Sequence, residues 1–367
     1  MSDMTGEKTE RNDKAIGIWL LVVAFLVFLM IVVGGATRLT ESGLSIVHWK
    51  PISGTMPPMS VSEWQAEFTA YKQYPEYQLI NKGMSLNEFK EIFWWEYSHR
   101  LLGRLIGLAF ALPLLFFLAR RMVKPKLKMP LFVLLGLGAG QGLMGWYMVT
   151  SGLVDEPEVS HLRLASHLSL ALIIIVGLLW QALMLFRPKD TLSREGMSPL
   201  DYQVQTLLRN KGMNKLKPYI FAFIILAFLQ SFFGALVAGL DAGYAFNTWP
   251  LMEGAFIPSQ AYGAPILHNI IYDPMTVQLT HRLIAYGLLV LGLVILWRLW
   301  FNNSSFSSKM HQKIFIMLAL LFVQVILGIT TLLSGVYIPI AVLHQGGGVL
   351  VLASAVLVLS SMYKNNT

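Results

Sequence analysis

Residues Trp94 to Arg104 read W-W-E-Y-S-H-R-L-L-G-R, which sets a carboxylate, a histidine and two arginines at the mouth of an apolar run. An ionisable side chain in or beside a membrane span costs free energy unless it is paired, ligated or placed in a polar cavity, so His99 is a functional candidate. A lone histidine at a helix end has an ordinary explanation as an interfacial ring bonded to a loop. Repetition weakens that explanation. His99, His167, His281 and His344 each stand near the start of an apolar segment, and each is followed four positions later by a small residue: Gly103, Ala171, Ala285 and Gly348. Four residues are about one helical turn. A missing side chain one turn from an imidazole leaves room for a flat group held by that ring.

The apolar segments are long. They run over about 16–36, 101–119, 130–150, 164–186, 218–239, 283–300, 314–334 and 341–362, near or above the ~20 residues that cross a bilayer as helix. Hydrophobic residues are 55% of the 367, and charged residues are 13%, about half the share in a globular domain. A transmembrane barrel would show alternating segments of about ten residues, and none occur. The expected fold is therefore an all-α integral membrane protein with eight transmembrane helices.

Basic residues near the spans mark the cytoplasmic side. They cluster in the N-terminal tail (Lys8, Arg11, Lys14), after span 2 (Arg120, Arg121, Lys124, Lys126, Lys128), after span 4 (Arg187 through Lys217) and after span 6 (Lys309, Lys313). The alternate loops are poor in basic residues or carry acids: Asp155, Glu156 and Glu158 after span 3, and Asp241, Glu253 and Asp273 after span 5. Both termini are expected in the cytoplasm, with the four histidines at the opposite, periplasmic ends of spans 2, 4, 6 and 8. The net charge of +8 is then explained by loops beside anionic lipid, and a nucleic-acid partner is not needed. The chain has no cysteine, which excludes disulfides, thiolate-bound iron-sulfur clusters and covalent C-x-x-C-H haem attachment. The short tail before span 1 has neither transit nor cleavable-signal character, and the expected location is a bacterial inner membrane.

The chain also repeats itself. Gly34, Glu41, Gly43 and Trp49 match Gly234, Asp241, Gly243 and Trp249 at one constant offset. His99-Arg100-Leu101 matches His281-Arg282-Leu283, and Gln141, Gly145, Ser151 and Gly152 match Gln324, Gly328, Ser334 and Gly335. Four spans per half make the repeats parallel. The expected organisation is a four-helix bundle over 1–187, a cytoplasmic linker over 188–217 with at most a short surface helix, and a second bundle over 218–367. Facing helices of bundles commonly hold a metal or cofactor, so one pair per half is expected, His99 with His167 and His281 with His344.

Two imidazoles alone suit zinc, copper or haem iron. Zinc normally takes more protein ligands, whereas a porphyrin brings four nitrogens of its own and fits an apolar slot with axial imidazoles. Its propionates need cationic or polar partners, and Arg38, Arg100, Arg104, Arg163 and Arg282 lie near the outer ends. Snorkelling toward headgroups is the ordinary role of such arginines. His48, His161, His268 and His311 read as solvated or interfacial. The halves differ at one informative place. Glu96 precedes His99 by three residues, but Gln278 precedes His281, and an amide does not titrate near neutral pH. Proton-moving chemistry is therefore expected in the N-terminal half, against the ordinary reading of Glu96 as an exposed acid in an outer loop. The loop from Thr40 to Trp95 is long and aromatic and could roof that site.

The motifs G-G-A-T-R-L-T-x-S-G-L-S after span 1, E-Y-S-H-R-L-L-G-R at span 2, L-A-S-H-L-S-L-A at span 4, N-T-W-P-L-M after span 5, T-H-R at span 6 and L-H-Q-G-G-G at span 8 together resemble the haem A synthases, from about Ile16 to Leu359. The likeness is to the class of proteobacteria and mitochondria, since the paired cysteines of the other class are missing. The resemblance implies oxidation of a ring methyl of haem O to a formyl group through a geminal diol, giving haem A for terminal oxidases. It implies that His281 and His344 ligate a resident haem B, that His99 and His167 form the substrate haem O site, and that Glu96 is essential beside them. A haem O synthase, an electron donor and a second copy of the chain are the implied or possible partners. Two other readings compete: a di-haem b-type electron carrier, and a parallel-repeat transporter.

Overall fold

The computed structural model describes residues 2–49, 53–153, 157–186, 198–301 and 306–363. Asp155 and Glu156, the basic residues of 187–197 and the first part of the expected linker lie outside the described residues. Twelve α-helices follow in order: α1 (Ser2–Leu39), α2 (Val61–Tyr71), α3 (Pro75–Leu79), α4 (Leu86–Ala119), α5 (Pro125–Val149), α6 (His161–Leu185), α7 (Pro199–Gly239), α8 (Ala242–Ala245), α9 (Ile266–Tyr272), α10 (Pro274–Phe301), α11 (Ser308–Leu333) and α12 (Ile338–Ser360). Eight of these, α1, α4, α5, α6, α7, α10, α11 and α12, are long and apolar enough to cross a membrane, so the chain is a multi-pass membrane protein.

Among the helices that extend well past the apolar runs are α4 and α7. The α4 helix begins at a capping box in which Ser85 Oγ accepts from the Glu88 amide and the Glu88 side chain accepts from the Ser85 amide, satisfying two of the N–H groups a helix start leaves free. It runs unbroken through Glu96 and His99, which are therefore helical neighbours on one face. The second extension departs from expectation: α7 starts at Pro199, so the latter part of the expected linker is continuous helix. Pro is favoured in the first helical turn, and the Leu, Gln, Lys and Arg that follow are good helix formers.

The long helices close two rings. In the first, α1 packs on α4 and α6, and α5 packs on the same two. In the second, α7 packs on α10 and α12, and α11 on the same two. The rings join where α6 meets α7, α1 meets α12, and α6 meets α12. One apolar core runs through all eight spans. Outward faces carry apolar stripes at helical spacing, such as exposed Leu105, Leu108, Leu112, Leu115 and Phe116 of α4, as expected of surfaces that meet lipid. At the outer junction Arg38 donates to the Ala238 carbonyl at 3.1 Å and pairs with Asp241 at 3.4 Å. Deeper down, Gln345 of α12 donates to the Ile31 carbonyl of α1 at 2.9 Å, where Gly35 leaves the side chain its space. Glu41 and Asp241 share a left-handed backbone, φ 51° and 50°, at matching turns after α1 and α7.

Above the first ring, α2 and α3 pack on the extension of α4 through Phe68, Tyr71, Phe89, Phe93 and Tyr97. This aromatic roof occupies the long outer loop.

Candidate haem-binding site

The four histidines sit on the diagonal helices of the rings: His99 on α4 and His167 on α6, His281 on α10 and His344 on α12. Each anticipated pair thus sits on two helices of one ring, both of which pack on the same two neighbours. All four histidines are half-buried.

Each ring rests against a glycine of the helix before it. A Cβ at Gly34 would lie 3.1 Å from His99 Nε2, one at Gly145 3.1 Å from His167 Cε1, one at Gly234 3.1 Å from His281 Cε1, and one at Gly328 2.8 Å from His344 Cε1. Four positions earlier, three of these helices carry glutamine. Gln141 donates to the His167 carbonyl at 3.1 Å, Gln230 lies 3.0 Å from His281 Nε2, and Gln324 lies 3.0 Å from His344 Nδ1 and donates to the His344 carbonyl at 2.7 Å. The fourth helix has Met30 at that place. The segments are Q-G-L-M-G, Q-S-F-F-G, Q-V-I-L-G and M-I-V-V-G. Sequence reasoning paired two of these glutamines but missed Gln230 and the part played by the glycines, which the shared Q-x-x-x-G spacing could have revealed. It also credited the small residues after each histidine with making room for a cofactor. Two of them instead receive a side chain from the preceding helix: Gly103 faces Met30 Cε, and Gly348 faces Gln324 Nε2.

Glu96 is buried and four donors converge on it. Its Oε2 accepts from Ser45 Oγ at 2.7 Å and the Ile46 amide at 2.6 Å, and its Oε1 accepts from Arg100 Nε at 3.0 Å and Nη2 at 2.6 Å. Arg100 Nη2 also donates to the Ile46 carbonyl at 2.8 Å. The second ring repeats this latch with other chemistry. Gln278 donates to the carbonyls of Ala242 and Phe246 at 3.0 and 2.8 Å, and accepts from Arg282 Nη2 at 3.1 Å. Ile46 and Phe246 are 200 residues apart, the offset of the first repeat landmarks.

The remaining arginines are dispersed. Arg163 donates to the Tyr147 carbonyl at 2.7 Å and stacks on that ring, while Arg104 and Arg100 line an outer cavity of about 310 Å³ with His48 and Tyr97. His48 and His268 are exposed, and His161 and His311 part-buried. Among the described residues no three His, Cys, Asp or Glu side chains gather as ligands for a bare ion.

The donor set suits a group that supplies its own equatorial ligands. Half-buried histidines in pairs, buried unpartnered Nδ1 atoms on His167 and His281 and glycine backing fit a haem, whose iron these imidazoles would ligate. A family described as cytochrome oxidase assembly protein, COX15-CtaA, matches residues 17–356. The chain belongs to the COX15-CtaA family. Among similar relatives, a Heme A synthase of Parvibaculum lavamentivorans is 46% identical over 351 residues, covering 95% of both chains. One of Rhizobium meliloti is 44% identical, covering 95% of this chain and 90% of the relative. One of Caulobacter sp. is 43% identical, covering 96% and 97%. Membership in COX15-CtaA thus extends over both rings and all four histidines.

Proposed function

We propose that this chain is a haem A synthase that converts a ring methyl of haem O to a formyl group, an oxidoreductase acting on a CH group. The observation that carries the reading is the fourfold placement of an imidazole against a glycine, in a chain whose relatives over nearly full length bear that name. The first ring, within 1–187, takes haem O between His99 and His167. The second, within 218–367, holds a resident haem B between His281 and His344. When bound, that haem supplies one-electron redox chemistry, and the protein supplies orientation and exclusion of water.

The chain's own residues divide the work as follows. Gly34, Gly145, Gly234 and Gly328 let the imidazoles approach neighbouring helices closely, and Gln141, Gln230 and Gln324 hold three of them, as outer groups do for ligating histidines. The aromatic roof shields the first ring from water. Glu96 ties Ser45 and Ile46 to α4 about one turn before His99 and places a carboxylate there. Proton uptake at Oε2 would require Ser45 or Ile46 to let go. The chain lies in a bacterial inner membrane with both termini in the cytoplasm and the histidines toward the periplasm. Haem O synthase, an electron donor and a second copy are its prospective partners.

Haems extracted from the purified protein and separated by chromatography test this. Haem B together with haem O, an alcohol intermediate or haem A is the expected result. Two haem B per chain and nothing else would overturn it in favour of a di-haem electron carrier.

A further inference from the structure

The two latches differ in charge as well as in hydrogen bonding. In the first ring Arg100 faces the Glu96 carboxylate at 2.6 Å, so the pair is neutral. In the second, Arg282 Nη2 donates to uncharged partners, Gln278 Oε1 at 3.1 Å and the Phe246 carbonyl at 3.3 Å. Arg282 is about nine-tenths buried, adjoins His281 in the chain, and has Nε and Nη1 without any hydrogen-bond partner. A buried guanidinium with two unanswered donors is costly. An anion with paired oxygens, presented in that geometry, is what it recognises best.

We infer that Arg282 binds a propionate carboxylate of the porphyrin in the second ring, and that the exchange of Glu96 for Gln278 decides which ring keeps its haem. This rests on the haem reading above and deepens it. Glu96 neutralises the arginine that would otherwise grip the porphyrin in the first ring, and a substrate must leave once it has become product. Gln278 preserves the loop latch with an amide and leaves the Arg282 cation free to hold a cofactor in place. One carboxylate-to-amide difference thus separates a site of passage from a site of residence.

The test uses full-length protein in detergent, with transfer of haem to excess apomyoglobin giving the release rate. Gln278→Glu and Arg282→Gln are each expected to speed release of haem B by about tenfold or more, in line with a charge-assisted bond. Unchanged rates in both would overturn the inference. A glutamate at 278 also faces the carbonyls of Ala242 and Phe246, and that variant can fail to fold, so a second measurement uses the unaltered sequence. After haem removal, haem B dimethyl ester should rebind at least about tenfold more weakly than haem B, and equal binding would sink the idea. The underlying reading fails separately: if His281→Ala and His344→Ala retain haem B at full occupancy, the second ring is not its site.

Discussion

The two rings are alike at the imidazoles and unlike above them. At the level of the histidines each has two imidazoles on diagonal helices, two backing glycines and at least one glutamine. Above that level the first ring has a folded roof built from α2, α3 and the extension of α4, with a buried carboxylate clamped beneath it. The second has the short α8 and α9, a smaller cluster around Met252, Ala261 and Leu279, and an amide latch. Shared geometry at the base means both rings can grip the same kind of flat ligand. Roof and charge distinguish what happens after it is gripped.

Breaking the shared part should have the largest effect. A Cβ at Gly328 would stand 2.8 Å from His344 and one at Gly145 3.1 Å from His167, and overpacking of a filled interior costs about 1–3 kcal/mol or displaces what it strikes. Gly328→Val should leave the protein without haem B. Gly145→Val should keep haem B but form no product. Haem content by pyridine haemochrome, read beside product extraction, checks both. Wild-type content and conversion in the two variants would show the contacts to be incidental.

Breaking the difference comes next. Glu96→Gln installs the residue of the second ring, but here four donors face two carboxylate oxygens, and an amide has one acceptor oxygen and turns an NH2 toward the remaining donors, so it cannot rebuild that latch. Conversion should fall by about a hundredfold or more, the usual scale for a lost acid–base group, with haem B in the second ring unchanged. Ser45→Ala removes a single donor and should cost far less. Full conversion by the Glu96→Gln protein would take the carboxylate out of the mechanism, and an equal loss in Ser45→Ala would make it a latch alone.

How much of this was legible beforehand follows the same division. All eight spans could be read, because each apolar run reports where lipid is. The same runs say little about where a helix ends. The α4 extension is written in the S-L-N-E box at Ser85, and the α7 extension in a polar stretch of good helix formers, neither of which registers as apolar. The histidines and the Glu96/Gln278 exchange stood out because they are side chains of unusual type in a repeat. The latch partners did not, since Ile46 and Phe246 take part through main-chain atoms that any residue would supply. Gly34, Gly145, Gly234 and Gly328 were visible as repeat landmarks. That they face imidazoles depends on how neighbouring helices are rotated, which one sequence does not display.

The smallest expected effect sharpens the contrast between the roofs. Glu76 of α3 is buried within the first roof, whereas Asp241, Glu253 and Asp273 in the second outer loop all keep solvent exposure. Burial pushes the Glu76 carboxyl up from 4.5 to about 8; the Tyr71 hydroxyl opposes the rise, the charges of Glu96 and Glu41 add to it, and Arg38 opposes it. Between those two values the folded roof holds a proton that the unfolded chain has released, so its stability must fall as pH rises from about 4.5 and level off above about 8. Glu76→Gln cannot titrate there. Its roof should match the parent near pH 5 and become progressively the more stable through pH 8. Limited proteolysis or hydrogen exchange of the loop after Thr40, followed across that range, reads the difference directly. Parallel pH slopes for the two proteins would mean that Glu76 reaches solvent and that the roof is looser than its aromatic packing indicates. A slope lost in the variant would establish a sealed, proton-holding cover over the first ring, with no equivalent over the second.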